Sequence, residues 1–332
     1  TKLKAPTLRV RNSWGDEIVV SSNQPFAQLD AFGNLTWKIA SELKSGDFVA
    51  CAKELPEGKP FVFDVSPLQR DKRMQVAYSK NGWKIRFQNG KEVHNTLHVL
   101  FPKKTSPTFM RLLGLMYAEG NLSKDGLVFA NLDMTLKKEF SVLVEELFGL
   151  SGAIKKDRVN VYSRTLRELF IRLLAYPVGP KKNYCLQPWV FGVTKEETAA
   201  FLQGFFEGDG TVGLSGGTYP TVRIYAKAKT VLYDINVLLR KLGIISKIGP
   251  WNTPKGLMHA VELLGSRSRE EFGKLIASNM EKHQRIIHWM NVRKKTGDDL
   301  NVPALSPLLQ SIKKERGLVY GRNFPEGPTE RY

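Results

Sequence analysis

The chain has 332 residues, 42% of them hydrophobic, enough to bury one large core or two to three smaller ones. Fifty Lys plus Arg against 32 Asp plus Glu give a net charge of +18, which favours a polyanionic partner, nucleic acid before membrane. Cys51 and Cys185 are too few for a disulfide framework or a thiolate zinc site, no apolar run approaches the roughly 18 residues of a membrane span, and Thr1-Lys2-Leu3-Lys4 is not a signal peptide, so a reducing, intracellular setting is expected.

Residues 1–100 read as a β-rich module, with short runs such as Glu17-Ile18-Val19-Val20 and Asp47-Phe48-Val49-Ala50-Cys51 separated by Asn, Pro and Gly turns. His94 and His98 stand four apart, but without a third ligand nearby an ordinary surface or core role is expected. From about residue 101 the texture changes to helices alternating with strands. Ser106-Pro107 offers an N-cap with proline in the first turn, then come a strand at 127–131, a helix at 136–149, and a further strand and helix. Residues 193–296 repeat that order: Thr194-Lys195-Glu196-Glu197 fits a capping box, followed by a strand at 222–228, a helix at 231–243, and again a strand and helix. Residues 297–332 read as a polar linker and a short helical stretch at 306–314.

The two middle segments, 101–192 and 193–296, share a nine-residue device. Leu112-Leu113-Gly114-Leu115-Met116-Tyr117-Ala118-Glu119-Gly120 and Leu202-Gln203-Gly204-Phe205-Phe206-Glu207-Gly208-Asp209-Gly210 each end in a carboxylate followed by glycine. An internal duplication accounts for both the order of elements and the device. Gly114 and Ala118, like Gly204 and Gly208, lie four apart on one helix face, and helix-interior glycine costs roughly 1 kcal/mol against alanine. Close backbone approach of the two helices explains that placement. Packing them together sets Glu119 and Asp209 side by side at the C-terminal tips, where a helix end disfavours an anion by roughly 0.3–1 kcal/mol. A divalent cation relieves the conflict, and oxygen ligands point to magnesium.

The doubled device resembles the LAGLIDADG motif of homing endonucleases in their single-chain, two-motif form, over roughly residues 100–295. The resemblance implies an α+β fold: a pseudo-two-fold pair of αββαββα half-domains whose sheets form a saddle over DNA. It implies that Glu119 and Asp209 bind two or more Mg2+ ions, with Mn2+ able to substitute. The first copy carries Glu where Asp is commoner. Lys181-Lys182-Asn183-Tyr184 and Phe272 to Lys282 resemble the family's lysine-bearing segments. Lys182 and Lys282 are therefore the expected pocket lysines, with Lys181 the alternative to the first and a plain phosphate contact the alternative role.

In Val222–Lys229, Arg223, Tyr225, Lys227 and Lys229 alternate with apolar residues; Arg158, Asn160, Tyr162 and Arg164 do the same around Val159 and Val161. Such ribbons enter the major groove, where Arg, Lys and Asn read base edges. The expected activity is metal-dependent hydrolysis of both strands of a long asymmetric site in double-stranded DNA by a monomer. Cleavage across the minor groove with short 3′ overhangs, as in intron homing, is implied by the resemblance. The alternatives are a nucleic-acid-binding module on the same fold, an RNA maturase or a transcription regulator, or a trimmed intein.

The stretches 15–26 and 37–49 resemble the Hint domain of inteins. Gln24 stands where that family carries an activating histidine, position 1 is neither Cys nor Ser, and Arg331-Tyr332 replaces a His-Asn ending, so the chain as written is expected not to splice. The module either extends the DNA footprint or packs against the core.

Overall fold

The computed structural model describes residues 6–30, 32–52, 54–87, 98–181, 184–215, 219–253, 256–276, 284–286, 288 and 306–317. The chain forms two compact units, one of residues 1–12, 17–52 and 298–332, the other of residues 13–16 and 53–297.

In the smaller unit β1 (Thr7–Arg11) pairs antiparallel with β2 (Glu17–Ser21), and β3 (Pro25–Leu29) with β4 (Leu35–Ile39). Asp30 shapes the second turn, its carboxylate accepting the backbone N–H groups of Phe32 at 2.9 Å and Asn34 at 2.8 Å. The run Asp47–Cys51 does not become a named strand. A single bridge, Gln28 to Val49, ties it to β3, while Asp47 closes a turn by accepting Lys44 N at 2.6 Å and pairing with Lys38 at 2.8 Å.

The larger unit opens with α1 (Ser66–Gln69) and a three-stranded antiparallel sheet of β5 (Met74–Ser79), β6 (Gly82–Phe87) and β7 (Val99–Phe101). The boundary expected near residue 100 therefore falls inside a compact unit. The reason is packing: Phe87 N donates to Thr165 Oγ1 at 3.0 Å, Arg172 pairs with Asp71 at 2.6 Å, and the Phe63 ring meets Phe101, Phe109 and Trp189.

The rest of this unit runs α2 (Pro107–Glu119), β8 (Gly120–Ser123), β9 (Gly126–Ala130), α3 (Met134–Phe148), β10 (Ala153–Ile154), β11 (Arg158–Tyr162) and α4 (Arg164–Arg172). After the short α5 (Pro188–Phe191) the order recurs as α6 (Lys195–Asp209), β12 (Gly210–Ser215), β13 (Tyr219–Ala226), α7 (Lys229–Lys241), β14 (Ser246–Thr253), β15 (Gly256–Leu263) and α8 (Gly265–Leu275). The architecture is mixed α and β. Two antiparallel four-stranded sheets have the orders β8-β9-β11-β10 and β12-β13-β15-β14, the same topology twice. A last helix, α9 (Ser306–Glu315), is assigned to the smaller unit.

Both long motif helices start as their sequences dictate. Ser106 Oγ accepts Phe109 N at 3.2 Å, and at Thr194 the box is reciprocal, Glu197 N donating to Thr194 Oγ1 at 3.1 Å and Thr194 N to Glu197 Oε2 at 2.9 Å. Residues 109–117 of α2 are all buried, so this helix is the centre of the core rather than a surface element with one apolar stripe. Among the described residues no helix is long and apolar enough to cross a membrane.

Candidate functional site

The helices α2 and α6 pack backbone against backbone. A Cβ added at Gly114 would drive into the Phe201 carbonyl oxygen and stand 2.9 Å from Phe205 N. One at Gly204 would meet the Arg111 carbonyl oxygen and stand 2.8 Å from Leu115 N. Near the C-terminal ends, a Cβ at Gly208 would lie 2.6 Å from Ala118 Cβ and 2.9 Å from Glu119 Cγ. At Gly114 and Gly204 no larger group fits without moving main chain, and at Gly208 one would push against the Ala118 and Glu119 side chains.

Glu119 and Asp209 are the last helical residues of α2 and α6, and each helix passes into a strand at the next residue. The acids thus stand at the junction of helix seam and sheet, both half-buried. Lys181 meets them there. Its ammonium donates to the carbonyl oxygens of Met116 at 2.8 Å, Tyr117 at 2.8 Å and Ala118 at 3.1 Å. Burial pulls its pKa from 10.5 to about 8, while the charges of Asp209 and then Glu119 act to keep its proton on. Tyr176 OH donates to Met116 O at 2.6 Å and Tyr184 OH to Tyr117 O at 3.3 Å, and burial pushes both phenols above their ordinary value so that they stay neutral donors. Tyr176, Lys181 and Tyr184 therefore close the carbonyl end of α2 with three side chains. Lys181 also supplies positive charge where the helix dipole is most hostile to Glu119.

Lys182, Lys282 and His94 lie outside the described residues. Nothing in the spacing along the chain singles out Tyr176, Lys181 and Tyr184 as one clamp; only the fold of the connecting segment assembles them. A cavity of about 470 Å³ opens beside the clamp, lined by Glu119, Asn121, Gly179, Pro180 and Lys181 among others.

The expected strand residues divide. Arg158, Asn160 and Tyr162 alternate outward on β11 around the buried Val159 and Val161. Arg164 does not continue that face, because Ser163 Oγ accepts Leu166 N at 3.1 Å and caps α4, making Arg164 its first residue. Arg223 and Tyr225 lie on β13, half-buried, with Val222 and Ile224 turned into the core. Pairing of β13 with β15 stops at Ala226 opposite His259, so Lys227 lies past the strand and Lys229 begins α7.

The donors suit a hard divalent cation. Glu119 and Asp209 offer oxygen only, and the described residues contain no group of three or more His, Cys, Asp and Glu side chains that could enclose a metal by themselves. Magnesium is usually held by one or two carboxylates, with substrate phosphates and water completing its shell.

A family model described as a LAGLIDADG-like domain matches residues 196–277, from the start of α6 to just past α8. The DNA-directed RNA polymerase subunit Rpo1C of Methanocaldococcus jannaschii is 24% identical over 82% of this chain and 31% of its own length. Glutamine--fructose-6-phosphate aminotransferase of the same organism is 23% identical over 67% of this chain and 21% of its own length. A DNA polymerase of Thermococcus sp. (strain GE8) is 25% identical over 69% of this chain and 14% of its own length. The chain thus spans less than a third of these relatives. Among solved structures, a mesophilic variant of the homing endonuclease I-DmoI is 18% identical, covering 52% of this chain and 97% of that one with a TM-score of 0.38. Full-length DUF199/WhiA from Thermatoga maritima is 16% identical, covering 64% and 68% with a TM-score of 0.40.

Proposed function

We propose that this chain is a site-specific DNA endonuclease that hydrolyses both strands of a long, asymmetric duplex site. The observation that carries the reading is the seam: two helices in main-chain contact deliver Glu119 and Asp209 to one place at the edge of two matching sheets. The net charge of +18 and the LAGLIDADG-like match over residues 196–277 support it.

Glu119 and Asp209 hold Mg2+, for which Mn2+ substitutes, and the bound ion supplies activation of water and neutralisation of phosphate charge. The two acids act as ligands and not as covalent nucleophiles. Lys181 keeps the end of α2, and with it Glu119, in one position. The outward residues of β11 and β13 lie along the DNA, so binding weakens steeply with salt. The matched relatives perform unrelated tasks and share with this chain only a fraction of their length, which supports reading the common segment as an element inserted into different hosts. The smaller unit is then its Hint-like part, with Gln24 in place of a proton-shuttling histidine.

Selection of cleaved sites from a random duplex library in magnesium tests the reading. The wild type is expected to cut a single family of sites. Asp209→Asn is expected to bind those sites with near-normal affinity and leave them intact. Equal cleavage by the mutant would remove Asp209 from its role, and absence of any cleaved site with wild type would overturn the endonuclease reading.

A further inference from the structure

The outer face of the second sheet carries an arrangement that metal-dependent cleavage does not use. Arg223 on β13 stands directly opposite Glu262 on β15, and its Nε donates to Glu262 Oε2 at 2.8 Å. Its guanidinium lies 5.4 Å from the ring centre of Trp251 on β14. Tyr225 follows two residues along the same strand face. The indole reaches this position because Gly249, two residues before it, has no side chain: an added Cβ would stand 3.0 Å from Cη2 and 3.1 Å from Cζ3 of Trp251. The ring therefore folds back over β14. The Arg223 and Glu262 side chains are 22% and 15% exposed, so the pair is sunk into the face rather than waving above it.

An arginine that only neutralises phosphate needs no such mounting, because a phosphate accepts charge from many directions. An arginine whose planar fork must meet two acceptors in one orientation does need it. With Nε held by Glu262 and one side of the guanidinium toward indole, the plane of the remaining N–H groups is set by the sheet. The two acceptors on a base edge that match this fork are O6 and N7 of guanine in the major groove.

We infer that Arg223 reads a guanine base edge and that Glu262, Trp251 and Gly249 are positioning residues that fix its guanidinium; this rests on the DNA-cleaving reading above. The experiment is selection of bound sites from a random duplex library without added divalent metal, for wild type, Arg223→Lys, Glu262→Ala and Gly249→Val, each checked for an unchanged melting curve. The wild-type consensus is expected to contain a position dominated by guanine. Arg223→Lys, which keeps the charge, is expected to lower that preference about tenfold or more and leave the other positions alone. Glu262→Ala and Gly249→Val are expected to weaken the same position to a smaller extent, with the salt dependence of binding unchanged. If one variant fails to fold, the remaining ones read the same position. A consensus without a guanine position, or one kept intact by every folded variant, overturns the inference alone. Uniform weakening across all sequences, with a salt slope reduced by about one, makes Arg223 a phosphate contact and also overturns it. Failure of the wild type to enrich any sequence overturns the DNA reading and this inference together.

Discussion

The two half-domains repeat one skeleton and part company at its edges. In the first half β9 and β11 are five residues long; in the second β13, β14 and β15 are eight. The first half places Tyr176, Lys181 and Tyr184 on the carbonyl end of its motif helix. The second builds its most elaborate side-chain arrangement, Arg223 with Glu262 and Trp251, on the open face of its sheet. The lesson is one of constraint. A seam residue such as Gly114 or Gly204 answers to both halves at once and stays small in both, whereas a sheet face answers only to what lies over it.

Breaking the shared part has the largest expected effect. Gly114→Val and Gly204→Val each force a side chain into main chain of the other helix, and each is expected to destabilise the protein by about 3 kcal/mol. Urea unfolding followed by circular dichroism measures this. Equal losses would support equivalence of the two halves at the seam, while a loss confined to one would break it.

The clamp separates the halves and comes next. Lys181→Met takes the donor from three carbonyl oxygens at the end of α2 and is expected to cost about 1–3 kcal/mol, reduced by removal of a buried ammonium. Lys181→Arg is expected to recover part of that loss. If the methionine variant proves as stable as wild type while cleavage is lost, Lys181 acts on substrate and not on the helix end.

How much of this is legible in the chain depends on the range of the interactions. The motif helices, their caps at Ser106 and Thr194 and the small-residue seam are written in local strings with a period, so periodicity and cap chemistry recover them. The ends of the basic strands are not. Arg164, Lys227 and Lys229 continue an alternating pattern on paper, but Ser163 caps a helix through Leu166 N, three residues on, and β15 stops pairing opposite Ala226; the cap is local and readable in the string, whereas the end of pairing depends on a strand distant in sequence. The sequence offers Lys181 only as the alternative to its neighbour Lys182, and the contacts that bind it to the end of α2 run to carbonyls more than sixty positions away. Trp251 and Glu262 carry no signal apart from their cross-strand neighbours. The stretch before residue 100 shows the same dependence, since Phe63, Asp71 and Phe87 join the larger unit through contacts with Phe109, Arg172 and Thr165.

The smallest expected effect lies where the connecting segment meets the second half. Asp234 on α7 accepts Leu186 N at 2.7 Å, and burial raises its pKa above 3.8 with that hydrogen bond opposing the shift. An acid whose folded pKa is raised favours the fold most when protonated, so its contribution is fully present below the ordinary value and is lost as pH rises through the folded one. Asp234→Asn keeps an acceptor for Leu186 and removes the charge. The variant is therefore expected to melt slightly higher than wild type at pH 7, with the gap closing as pH falls toward 4. A variant that melts lower at pH 7 would mean that the carboxylate, though half-buried, stabilises the join between the two halves more than its desolvation opposes it.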